Sequence, residues 1–267
     1  MTETTTSVID QATKEKYKYW RKRIFWSAWI TYASFYLIRT NMSIALPGIM
    51  KEFALTKTVM GGVLSALFFA YAIGQFVNGQ LGDKFGGRKL ISIGLVVSAI
   101  VNLIFGFTNG NISAMMILWG INGYFQSMGW SPTVKTIANW FTLDMRTKKA
   151  GLLGTSYQIG GAASWALSGF VVGLLGWRWA FWIPAIICLV SAAHWFIRGR
   201  NAPEEVGLPT VEEESNGITK ISADEKKDVH LGFKYTLKKV LTSKTIWFVA
   251  IGLFFLNIVR YGFMDWA

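Results

Sequence analysis

The run Ile24-Phe25-Trp26-Ser27-Ala28-Trp29-Ile30, continuing through Tyr32, Tyr36 and Arg39 to Pro47, is an apolar stretch with one permanent charge in its far half. Residues 24–46 are long enough to cross a bilayer as a helix, since about 20 apolar residues span the hydrocarbon core. A guanidinium stays protonated under any protein condition, and at mid-bilayer depth it costs from ~2.5 to well over ~10 kcal/mol, depending on the reference state. Such a charge calls for an anion. Tyr32, Tyr36 and Arg39 are spaced four and three apart, so a helix puts them on one face, where two phenol hydroxyls flank a fork of donors suited to a carboxylate or phosphate. An arginine that snorkels to the interface, or pairs with a buried carboxylate, is the alternative the stretch alone leaves open.

Similar stretches recur along the chain. Of 267 residues, 52% are hydrophobic and 15% aromatic, while only 16% are charged, against roughly a quarter in a soluble domain. Seven stretches suit a membrane helix: 24–46, 60–81, 90–107, 112–131, 151–176, 179–197 and 245–267, and the second to fifth hold no charged residue. The chain therefore reads as an all-α, polytopic membrane protein. Its first span follows a basic tail instead of preceding a small-residue cleavage site, so it is expected to stay in the mature protein. Cys188 is the single cysteine, which excludes an intramolecular disulfide and leaves the thiol to pack as a small apolar group. The sequence shows neither a metal-ligand cluster, nor a nucleotide-binding glycine loop after a strand, nor a nucleophilic triad, so neither an enzyme nor a metal or cofactor is expected.

The net charge of +12 does not argue for nucleic acid, because membrane proteins concentrate Lys and Arg in their cytoplasmic loops. The tail carries Lys14, Lys16, Lys18, Arg21, Lys22 and Arg23, the second-to-third connection Lys84, Arg88 and Lys89, and the fourth-to-fifth Arg146, Lys148 and Lys149. Opposite loops carry only Lys51, Lys57 and Arg178. This alternation predicts a cytoplasmic N-terminus in the cell (inner or plasma) membrane. The organisation expected is a basic tail (1–23), a six-helix bundle (24–197), a solvated connector (198–244) and the start of a second bundle (245–267), with the tail lacking structure up to about residue 19. Residues 230–243 are expected to form a basic helix lying on the membrane surface. A chain ending at Ala267 within a span looks like a fragment of something longer.

Between the second and third spans runs Gly79-Gln80-Leu81-Gly82-Asp83-Lys84-Phe85-Gly86-Gly87-Arg88-Lys89, a short turn whose glycines supply the backbone freedom to reverse direction. It resembles the signature loop of the major facilitator superfamily, G-x-L-x-D-x-x-G-x-R-K. The resemblance implies that Gly79, Asp83, Gly86, Arg88 and Lys89 form a structural latch, a gating element and not a substrate contact.

Polar stripes mark several spans. Tyr71, Gln75 and Asn78 share a face in the second, Asn122, Gln126 and Gly129 in the fourth, and Tyr157, Gly161, Ser164 and Ser168 in the fifth, where Gly169 and Gly173 permit close helix contact. Helix-to-helix hydrogen bonding and substrate contact account for such stripes equally well. His194 reads as an interface residue. In the seventh span Asn257, Arg260 and Tyr261 share a face, and Arg260 lies deep in an apolar helix with Asp265 as the one nearby acid.

The stretches Tyr32-Ala33-Ser34-Phe35-Tyr36-Leu37-Ile38-Arg39, Met128-Gly129-Trp130-Ser131-Pro132 and Val259-Arg260-Tyr261-Gly262-Phe263-Met264-Asp265-Trp266 are similar to those of the organophosphate:phosphate antiporter family, and the resemblance covers nearly the whole chain. It implies that Arg39 and Arg260 grip a phosphoryl group from the two halves, with Tyr32, Tyr36 and Tyr71 lining the cavity. Three departures stand out: Thr40, Gln75 and Tyr157 occupy positions where the glycerol-phosphate member has two lysines and a histidine. Fewer cations imply a less charged or differently shaped anion, with Gln75 and Tyr157 offering neutral hydrogen bonds. The function expected is alternating-access exchange of an organic phosphate for inorganic phosphate by a monomeric carrier in contact with membrane lipid. The alternatives are a sugar-phosphate sensor that signals to a partner kinase, or a carrier of a carboxylate sugar acid.

Overall fold

The computed structural model describes residues 10–216 and 239–266. They belong to two compact units, one ending at Thr219 and one beginning at Lys220, and each is described by itself. The first contains α1 (Gln11–Leu37), α2 (Asn41–Phe53), α3 (Lys57–Phe85), α4 (Gly87–Phe105), α5 (Ile112–Gln126), α6 (Trp130–Trp140), α7 (Leu143–Leu175) and α8 (Trp179–Arg198), then a 3-10 turn at Pro203–Val206 and the short α9 (Val211–Asn216). The second holds α10 (Lys244–Trp266). The architecture is all-α. Most of the surface helix expected over 230–243 lies outside the described residues.

Local chemistry fixes several helix starts. Asp10, Thr56 and Asn111 each accept a hydrogen bond from the backbone N–H three residues on, at 2.8 Å from Thr13, 3.3 Å from Val59 and 3.0 Å from Ala114, which satisfies donors that the first helical turn leaves open. The basic tail departs from expectation, since it is helical from Gln11 onward. Tertiary contacts order it: the Tyr17 hydroxyl donates to the Pro209 carbonyl, and Arg21 grips Glu214 through two bonds of 3.0 and 2.9 Å.

Among the described residues five helices, α3, α4, α7, α8 and α10, are long and apolar enough to cross a membrane. The spans expected at 24–46 and 112–131 are each two helices meeting at a break. The second break, at residues 127–129, has a local cause. Pro132 cannot donate to the Met128 carbonyl and its ring crowds that oxygen, and the chain tightens there into bonds from Met128 N to Phe125 O and from Gly129 N to Gln126 O, at 3.1 and 3.2 Å. The first break, at residues 38–40, has no proline in it; Pro47 lies inside α2.

The core is in two pieces, and the first break marks the change from one to the other. Phe25, Phe35 and Ile38 pack with Leu95, Trp140, Leu153 and Trp195, whereas Met42, Leu46 and Ile49 pack with Leu67, Phe105, Trp119 and Phe181. Close helix approach occurs at Gly160, where an added Cβ would collide with the Ala33 backbone. Gly169 and Gly173, expected to serve this role, have nothing within 4 Å of such a Cβ, because they sit on an exposed face of α7.

Candidate functional site

Three carbonyls at the end of α1, those of Phe35, Leu37 and Ile38, are satisfied by side chains instead of by a continuing helix, while that of Tyr36 keeps the backbone N–H of Thr40 at 3.1 Å. Phe35 O accepts from Gln126 Nε2 at 3.1 Å, Tyr36 O from Thr40 Oγ1 at 3.0 Å, and Leu37 O from Ser164 Oγ at 3.3 Å. Ile38 O accepts from Asn122 Nδ2 at 3.1 Å and Asn102 Nδ2 at 3.3 Å. Irregular backbone at membrane depth is tolerated only where its polar groups find partners, and here α4, α5 and α7 supply them. The amides are joined: Asn41 Nδ2 donates to Asn102 Oδ1 and to Ala180 O, both at 3.0 Å. Asn41, Asn102, Asn122 and Gln126 are all fully buried.

Arg39 sits in that break, just beyond the last residue of α1. Its guanidinium carbon lies 4.9 Å from the Tyr36 ring centre and 4.6 Å from that of Tyr71, an arrangement worth ~2 kcal/mol or more once desolvated. Its Nε donates to Gln126 Oε1 at 3.2 Å. Gln126 therefore does two things at once, closing the end of α1 and fixing the plane of the guanidinium. The Tyr36 ring stands 5.9 Å from those of both Tyr32 and Tyr157, and Tyr32 lies 4.9 Å from Trp130. The structure thus gathers Tyr32, Tyr36, Tyr71, Tyr157 and Arg39 into one aromatic cluster around a cation. Gln75 lies one turn along α3 from Tyr71 and outside these ring contacts.

The polar stripes divide by role. Asn78 bonds Ser127 Oγ at 2.7 Å and Tyr124 O at 3.3 Å, helix-to-helix contacts that hold α3 against the second break. Asn122 and Gln126 brace the first. Asn41 and Asn102 were not singled out by sequence reasoning; their signal is a solitary amide in an apolar run.

The loop at 79–89 is tighter than expected. Helix α3 runs to Phe85 and α4 starts at Gly87, leaving Gly86 alone between them at φ +78°, a conformation that L side chains rarely adopt. A Cβ there would also meet the Asn201 side chain. Arg88 N donates to Asn201 Oδ1 at 2.8 Å, and Arg88 Nε to Phe196 O at 2.7 Å with its guanidinium over the Phe196 ring. Gly79 stands in open space, Lys89 is exposed, and the Asp83 side chain lies outside the described residues. At the opposite end of the bundle Glu52 accepts from Arg178 at 2.7 and 2.8 Å and from Trp177 Nε1 at 2.8 Å, and the Arg178 and Trp177 bonds hold its carboxyl down at about 2.

In the second unit Arg260 lies on α10 with its guanidinium 5.7 Å from the Tyr261 ring centre. The Asp265 side chain lies outside the described residues.

Residues 28–267 match the family model of the Major Facilitator Superfamily. The chain is 34% identical over 263 residues to the probable hexose phosphate transport protein of Chlamydia trachomatis, covering 95% of this chain and 58% of that protein. It is likewise 34% identical over 256 residues to the glycerol-3-phosphate transporter of Bacillus subtilis, covering 94% of this chain and 57% of the relative. The chain therefore spans under three-fifths of the curated relatives it matches. Among solved structures, an inward-facing, unoccupied bacterial homolog of the human lysosomal transporter Spinster superposes with a TM-score of 0.71 at 16% identity, over 92% of this chain and 54% of that one.

Proposed function

The chain belongs to the major facilitator superfamily, and we propose on that footing that the protein carries a phosphorylated organic anion, a sugar phosphate or glycerol phosphate, in exchange for inorganic phosphate. The observation that carries this reading is Arg39, a permanent cation held between Tyr36 and Tyr71 at a helix break with its plane set by Gln126. A planar fork fixed in orientation suits two phosphoryl oxygens at once. Tyr32, Tyr36, Tyr71 and Tyr157 supply hydroxyls for the rest of the substrate, and Gln75 an amide. Arg260 is assigned the matching grip from the second half, on the strength of the family resemblance. The protein sits in the inner membrane as a monomer with its N-terminus cytoplasmic, a topology supported by the alternation of basic loops.

No bond chemistry is required. The anion bridges the two halves, lowers the barrier to closure, and the halves rock about it, while an empty pair of cations resists closing and so enforces exchange. The test is counterflow with reconstituted full-length protein: inorganic phosphate loaded inside should speed uptake of labelled hexose phosphate or glycerol phosphate. Binding without flux would replace the carrier with a sensor that signals to a kinase. Exchange of a sugar acid, with organic phosphates inert, would overturn the phosphate assignment.

A further inference from the structure

A second cluster of cations lies nearer the start of α1. A cavity of about 380 Å³ opens between α1 and α8, and Lys22, Arg23 and Arg198 line it together with Trp26 and Ile30. No acid is among its lining residues. Residues 22, 23, 26 and 30 follow helical spacing, so one face of α1 forms a wall. Within it, Arg23 Nη1 donates to the Tyr19 hydroxyl at 2.8 Å and its guanidinium lies 5.0 Å from the Trp20 ring centre. Two nitrogens of the lining residues, Arg23 Nε on α1 and His194 Nδ1 on α8, are buried without a hydrogen-bond partner among the described residues.

A neighbouring groove offers the contrast. It shares Lys22 and Trp26 with the first and adds Lys14, Lys18, Arg21 and Lys149, but Arg21 is committed to Glu214, and Lys149 stands over the rings of Phe25 and Phe141. Among the described residues the α1–α8 cavity has no such internal counter-ion. One and two turns further along α1, Trp26 and Ile30 are exposed, as are Phe196 and Ile197 on α8. Cations at one level and bare apolar surface beside them match an amphiphile whose head is an anion.

We infer that this cavity holds the phosphodiester headgroup of an anionic phospholipid from the leaflet at the N-terminal end of α1, with its acyl chains lying along Trp26 and Ile30. Lys22, Arg23 and Arg198 neutralise the phosphate. The assignment needs only that the chain spans a membrane and is independent of which solute the protein carries.

The test uses full-length protein in detergent, examined by native mass spectrometry with phosphatidylglycerol or phosphatidylcholine added, and with inorganic phosphate as a soluble competitor. Wild type should retain phosphatidylglycerol over phosphatidylcholine. The triple variant Lys22→Gln/Arg23→Gln/Arg198→Gln should lose retention by on the order of 100-fold at low salt, while Lys148→Gln keeps it. Equal retention of the two lipids, or a monodisperse triple variant that holds phosphatidylglycerol as wild type does, would overturn the inference. Displacement of the lipid by millimolar phosphate would instead assign the cavity to a soluble anion. Wild-type protein in nanodiscs with a photoreactive phosphatidylglycerol provides a readout that needs no variant. Crosslinks should fall within 19–30 and 190–198, and their absence from both segments would equally overturn it.

Discussion

Replacing Gln126 with methionine tests the link between the helix break and the arginine. Methionine keeps the length and flexibility of the side chain but can neither donate to Phe35 O nor accept from Arg39 Nε, two bonds of 3.1 and 3.2 Å. A buried carbonyl left without its donor costs ~1–3 kcal/mol, and a lost interhelical bond in a membrane protein ~0.6–1.7 kcal/mol, for a total of ~2–4 kcal/mol. Asn102→Leu removes more bonds on paper and should cost less. Ile38 O keeps Asn122 as a donor and Asn41 keeps Ala180 O as an acceptor, so only the long 3.4 Å bond to Asn122 Oδ1 goes unreplaced and the loss is ~1–2 kcal/mol.

The assay is thermal unfolding of full-length protein in detergent, paired with phosphate binding. At about 2–4 °C per kcal/mol, Gln126→Met should melt roughly 5–15 °C low and Asn102→Leu less than half as far. Affinity should fall about tenfold in Gln126→Met, the equivalent of one orienting hydrogen bond of ~1.4 kcal/mol, because the guanidinium remains between its rings but loses the anchor of its plane. A Gln126→Met protein that melts within ~2 °C of wild type and binds phosphate unchanged would refute the reasoning, as would Asn102→Leu proving the more damaging of the two.

Arg39→Lys should abolish exchange although the charge is kept, since an ammonium offers neither the planar fork nor the ring stacking seen with Tyr36 and Tyr71; uptake into proteoliposomes measures it. Gly160→Val should lower the melting temperature, the overpacking costing ~1–3 kcal/mol, because the added carbon meets the Ala33 backbone; unfolding in detergent reads this directly. Glu52→Gln should destabilise modestly at pH 7. The carboxyl is held down at about 2 from an ordinary 4.5, so its contribution is present above about 4.5 and is lost as pH falls toward 2, where wild type and variant should melt together.

Length and apolarity were enough to locate the apolar stretches, because a bilayer demands about 20 residues and little else resembles such a run, but not the breaks that divide two of them. The second break has a local signal in Pro132, which reading 112–131 as one span did not use. The first has none, since nothing between Ile38 and Thr40 forbids a helix locally and the distant competitors for its carbonyls come from residues 64 to 127 positions away, in α4, α5 and α7. Tyr32, Tyr36 and Tyr71 were expected to lie together from the family resemblance, and Tyr157 entered as a departure from it; the structure gathers all four around Arg39. The partner that orients Arg39 was visible only as part of a stripe at Gln126, because spacing along one helix does not tell which distant residue the stripe faces.

The placement of the arginine follows from that competition. Were α1 to run on through residue 46, the carbonyls of residues 35, 37 and 38 would be bonded within the helix, as that of Tyr36 already is to the Thr40 backbone, and Gln126, Asn122, Asn102 and Ser164 would lose acceptors they now use. The break exchanges backbone bonds for side-chain bonds at nearly constant number, so its cost is small, but it makes the conformation around Arg39 depend on three other helices. Gln126 is the last residue of α5 before the second break, so the same side chain stands at both discontinuities. A shift of α5 relative to α1 therefore acts on the Arg39 guanidinium through one hydrogen bond, without having to bend a continuous helix.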